Sequence, residues 1–125
     1  MSAEHDLLNA YREWHRLARA EAKAIRTHNW DLLADCQLAI TDFQTLISQL
    51  FVQAHREWEQ AGLDIASKEH NIRVFASELL DLTRQNQKML QQVKDEATQR
   101  LGELEGVGHN LQRLHRSYGS GLTAA

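Results

Sequence analysis

Proline is missing altogether from this 125-residue chain, and glycine is confined to Gly62 and the stretch from Gly102 onward. Without the residues that end or kink helices, long uninterrupted helices are the expectation. A single cysteine, Cys36, excludes an internal disulfide and a cysteine pair for zinc; it reads as a small buried hydrophobe. No apolar run approaches the ~18 residues that a membrane helix needs, and the opening MSAEHD has no basic, apolar leader. A cytoplasmic protein is therefore expected, with no membrane insertion. Positive charge is not in excess either. A net charge of −3, with acids and bases interspersed, leaves no basic face for nucleic acid, and the cluster Arg113, His115, Arg116 is too short to track phosphates.

The arrangements that carry chemistry are also missing. Seven histidines raise the question of a metal, but a di-metal helical bundle needs Glu-x-x-His to set two ligands on one inward face. Three residues after Glu4, Glu13, Glu21 and Glu69 come Leu7, Arg16, Ala24 and Ile72. There is no His-Glu-x-x-His, no glycine-rich phosphate loop and no Gly-x-Ser-x-Gly elbow. Neither an enzyme nor a metal or cofactor protein is expected, and the scattered histidines read as surface residues.

What the chain does have is helical periodicity. Ile72, Phe75, Leu79, Leu82, Asn86, Met89, Val93, Ala97, Leu101 and Leu104 recur at steps of three and four, and Val107, Leu111, Leu114 and Tyr118 continue the row. Such offsets stack side chains on one face of a helix. A second stripe runs through Leu33, Cys36, Ile40, Phe43, Ile47, Leu50, Ala54 and Trp58, and a first through Leu7, Tyr11, Trp14, Ala18 and Ile25. Strict alternation of three and four suggests coiled-coil-like packing. The turns have their own signals. Asn29 can cap a helix opened by Trp30, and Gly62 can take the left-handed position after a helix end, with Asp64 capping the next. Short links of this kind force antiparallel neighbours.

The expected fold is thus all-α: three long antiparallel helices in a coiled-coil-like bundle, at about 3–27, 30–61 and 65–105, with the third longest. Gly102, Gly106 and Gly108 each weaken a helix by roughly 1 kcal/mol relative to alanine. A helical segment is therefore expected over about 107–118, with the sequence leaving open whether it is continuous with the third helix, free or folded back. It completes a single domain, 1–118, with 119–125 a flexible tail. Two polar residues fall on the stripes. Glu21 ordinarily would sit at the seam edge with its head in water, a buried functional carboxylate being the rarer reading; Asn86 reads as a register-setting residue, with a functional role as the alternative.

A mismatch of length points to function. The third stripe outruns the first helix by more than ten residues, so the simple bundle cannot cover all of it. Leaving Leu101, Leu104, Val107, Leu111 and Leu114 in water forgoes roughly 1.5–3 kcal/mol of burial each. A fold-back of the chain, a second copy or a client helix could recover that.

The pattern Tyr11…Trp14…Leu17…Glu21…Ile25, the Asn29-Trp30-Asp31 turn, Leu79-x-x-Leu82-x-x-x-Asn86-x-x-x-Leu90 and the closing Ser117-Tyr118-Gly119 resemble the FlgN flagellar export chaperones. The resemblance implies a cytoplasmic chaperone of hook–filament junction proteins, which shields their amphipathic C-terminal helix and delivers them to the flagellar type III export apparatus. It places the client-facing element at Leu101, Leu104, Val107, Leu111, Leu114 and Tyr118, and makes Leu82, Asn86 and Leu90 helix-packing positions. Two other readings stand beside it: a structural coiled-coil or dimerisation module acting as a homodimer, and another type III chaperone or adaptor, FliT-like, with a different client.

Overall fold

The structure is a computed structural model that describes the backbone from Ser2 to Ala124 and the side chains from Ser2 to Arg116. Three helices follow one another: α1 (Ala3–Arg26), α2 (Trp30–Gln60) and α3 (Ile65–Ala124). The chain divides into two compact units, Met1–Leu90 and Gln91–Ala125. Among the described residues no helix is long and apolar enough to cross a membrane.

In the first unit the helices run up, down and up. Each start and stop has a local cause. Ser2 caps α1 by accepting from the His5 amide at 3.1 Å, with Glu4 and Asp6 in the first turn where the helix dipole favours acids. At the far end the amides of His28 and Asn29 turn back to the carbonyls of Ile25 and Ala24, which requires a left-handed residue at position 28. His28 takes it, at φ 55°, and stacks on Trp30 with ring centroids 5.4 Å apart. Asn29 then caps α2, its Oδ1 accepting from the Leu32 amide at 3.2 Å. The second turn repeats the device with glycine: Gly62 has φ 67°, and the Leu63 amide reaches the Trp58 carbonyl at 3.0 Å. Asp64 opens α3 through bonds from the Ser67 amide at 3.4 Å and hydroxyl at 2.9 Å.

The core is made of the expected stripes. Leu7, Tyr11, Trp14, Leu17, Ala18 and Ile25 of α1, and Leu33, Cys36, Ile40, Ile47, Leu50, Ala54 and Trp58 of α2, are buried. From α3 the fully buried positions are Ile72, Leu79 and Asn86, seven residues apart, which is the spacing of one seam position in a supercoil. The alternate seam position is shallower. Leu82 and Met89 are half-buried, and Phe75 is exposed at its edge but stacks on Tyr11, centroids 6.5 Å apart. Phe43, expected in the core, is also only partly buried at its rim.

Polar ties fix the register at one end of the bundle. Glu4 accepts from the Trp58 indole at 3.2 Å and from the Lys68 ammonium at 3.0 Å, while the Ala3 amide donates to Glu57 at 3.0 Å. Glu4 thereby joins all three helices, a role that its place in the first turn did not signal. The His55 ring lies between Glu59 of its own helix and Glu69 of α3, at 3.4 and 3.5 Å.

In the second unit, where the sequence left open whether the segment 107–118 is continuous with the third helix, α3 runs as one helix through Gly102, Gly106 and Gly108 to Ala124. The stretch 119–124, expected as a tail, is helical backbone as well. Glycine raises the cost of a helix without removing its amide, so helical hydrogen bonding passes through it where proline would stop it.

Candidate functional site

Leu101, Leu104, Val107, Leu111 and Leu114 all lie on the helical segment of the second unit, with exposures of 61, 66, 53, 60 and 52%. At 3.6 residues per turn they occupy an arc about 140° wide. Leu104 and Leu111 form its middle, Leu101 lies at one edge, and Val107 and Leu114 make the other flank. The arc is broader than a coiled-coil seam and matches the apolar face of a helix that packs against something larger than a single narrow ridge. Gly108 falls between Leu104 and Leu111 on the same face, and a Cβ built there, or at Gly102 or Gly106, meets nothing within 4 Å. Tyr118, the sixth residue expected here, has a side chain outside the described residues.

The two polar stripe residues of the first unit meet. Asn86 Nδ2 donates to the Ala18 carbonyl at 2.8 Å and to Glu21 Oε1 at 2.9 Å. Both partners only accept, which fixes the orientation of the amide. Glu21 is not at the seam edge in water: it is buried, with 9% of its surface exposed, because Asn86 from α3 supplies the donor that its carboxylate needs. Asn86 Oδ1 and the Trp14 indole nitrogen are buried without a hydrogen-bond partner among the described residues. This arrangement fits a register-setting contact, since sliding α3 by one turn would leave the carboxylate buried and unpaired.

Cys36 sits nearby in the core. Burial pushes its thiol pKa up, and the carboxylates of Glu21 and Asp35 add to that rise against a smaller opposing pull from Arg16. A raised thiol is a poor nucleophile at neutral pH. The cavity next to Glu21 and Asn86 holds 190 Å³; elsewhere on the first unit lie open grooves of 260 Å³ between Tyr11, Arg12, His15 and Phe75, 330 Å³ beside Phe43 and Leu46, and 370 Å³ beside Ser2 and Gln53. Enclosed small-molecule sites run to about 300–1,000 Å³. Among the described residues no group of three or more His, Cys, Asp or Glu is placed to hold a metal ion. The exposed apolar arc is thus the most developed candidate, a surface that gains from being covered by another apolar face.

Compared with protein-family models, with curated proteins and with solved structures, the chain matches none.

Proposed function

We propose that this protein is a cytoplasmic, non-catalytic export chaperone of the FlgN-like kind. It binds the amphipathic C-terminal helix of a hook–filament junction subunit on the Leu101–Leu114 face and presents it to the flagellar type III secretion apparatus. The observation that carries the reading is the exposed arc itself: five large apolar side chains, each more than half exposed, within fourteen residues of one helix. Monomeric proteins seldom leave such a contiguous apolar face in water unless it meets a partner. A client helix that is disordered when free would bury its own apolar face there and gain its fold from the contact. The resemblance of Tyr11…Ile25, the Asn29-Trp30-Asp31 turn and Leu79…Leu90 to the FlgN chaperones is what favours this choice of client. A FliT-like chaperone would use the same face for a different helix, and which helix binds separates the two.

The test is calorimetric titration of the full chain with a peptide spanning a junction subunit's C-terminal helix. Leu111→Asp with Leu114→Asp removes two burials of roughly 1.5–3 kcal/mol each, which corresponds to a loss of at least about a hundredfold in affinity. Circular dichroism and the unfolding midpoint of the bundle should not change. Unaltered affinity, or a collapsed bundle, would refute this placement of the client site.

A further inference from the structure

The charges on the same helical segment are not mixed evenly. Between Gln91 and Glu105 the carboxylates of Asp95, Glu96, Glu103 and Glu105 outnumber the cations Lys94 and Arg100. From Gly106 to Arg116 there is no carboxylate, while Arg113 and Arg116 are joined by His109 and His115. All of these side chains are exposed. The segment is therefore acidic in its first half and basic in its second, with the apolar arc running along both.

We infer that, when no client is bound, the apolar arc is covered by the same segment of a second copy in antiparallel orientation. An antiparallel pair sets each acidic half against the partner's basic half along the edges of a shared leucine seam. A parallel pair would oppose like charges at both ends, which destabilises. The helix dipoles also oppose favourably in the antiparallel arrangement. Gly108 lies near the midpoint of the arc along the helix and carries no side chain to hold an opposing helix away. Self-pairing needs no other protein and holds the client face out of water until a client helix displaces the partner copy. Only this last consequence rests on the chaperone reading.

The experiment is sedimentation equilibrium of the full chain without client, over a concentration series at low and high salt. The expected result is a reversible monomer–dimer equilibrium that salt weakens. The double variant Glu103→Lys/Glu105→Lys makes the whole segment basic, and Arg113→Glu/Arg116→Glu makes it acidic. Each should self-associate about tenfold more weakly or worse, and mixing the two should restore a heterodimer. Orientation is read by pulsed electron resonance from a nitroxide at position 98 in a Cys36→Ala background. Antiparallel pairing about residue 107 separates the two labels by about 27 Å along the helix axis, whereas parallel pairing brings them within about 10 Å. A chain that stays monomeric throughout, charge variants that dimerise like the native chain, or closely spaced labels would each overturn the inference. Client titration is read separately. A monomer that still binds the junction helix leaves the chaperone reading standing, and a dimer indifferent to that helix removes it.

Discussion

At the scale of single residues, the Glu21–Asn86 pair shows how a buried charge is tolerated. The Glu21 carboxylate is shielded from water and keeps its place because Asn86, 65 positions later, aims an amide donor at it from 2.9 Å. Asn86→Leu fills similar space but strips that donor, and the cost should be about 2–4 kcal/mol in urea unfolding. Adding Glu21→Leu removes the orphaned charge and should recover most of that loss, so the double variant ought to be more stable than the single. Strict additivity of the two changes would mean that the residues do not act on each other. Half of this was readable in advance. Asn86 stands out as a polar residue on an apolar stripe, but the burial of Glu21 depends on a partner that no local pattern specifies. Cys36 makes a simpler case, as its raised thiol and burial predict slow alkylation by iodoacetamide in the folded protein and rapid alkylation in urea.

At the scale of the elements, the helix ends decide where the chain reverses. Both turns need one left-handed residue; the second uses Gly62, but the first uses His28 at φ 55°. A side chain in that region costs roughly 1–2 kcal/mol against glycine, offset in part by stacking on Trp30. His28→Gly should therefore raise stability by about 0.5–1 kcal/mol, measured as a higher urea midpoint; a lower midpoint would show that the stack outweighs the strain. Asp64 gives the pH dependence. The bonds from the Ser67 side chain and amide lower its pKa in the folded state. A depressed carboxylate contributes stability above its unfolded pKa and loses it as the pH falls through the folded value. The stability difference between the native chain and Asp64→Ala should thus be full at neutral pH and shrink in acid. A difference that stays constant down to low pH would remove Asp64 as the charged cap of α3. Turn positions were legible because glycine, asparagine and aspartate declare them. The passage of α3 through Gly102–Gly108 stayed open at that level, because a glycine lowers helix stability by an amount that its neighbours can outweigh.

At the scale of the whole molecule, the division of apolar surface matters more than any one contact. The core cluster of the bundle and the side chains packed on it all lie at or before Leu82, inside the unit Met1–Leu90. The large apolar residues from Leu101 to Leu114 remain exposed. Sequence periodicity revealed both sets, because three-and-four spacing marks a helix face whether or not anything covers it. Which stretches of stripe form the core and which are left bare followed only from comparing helix lengths. If hydrophobic burial within the first unit supplies the stability of the bundle, a chain ending at Leu90 should unfold cooperatively at the same urea midpoint as the bundle of the full chain. It should also lose all affinity for a client helix and all tendency to dimerise. A lowered midpoint would assign part of the bundle's stability to residues beyond Leu90. Retained client binding would move the recognition face onto the bundle, and the groove around Tyr11 and Phe75 would be the place to look next.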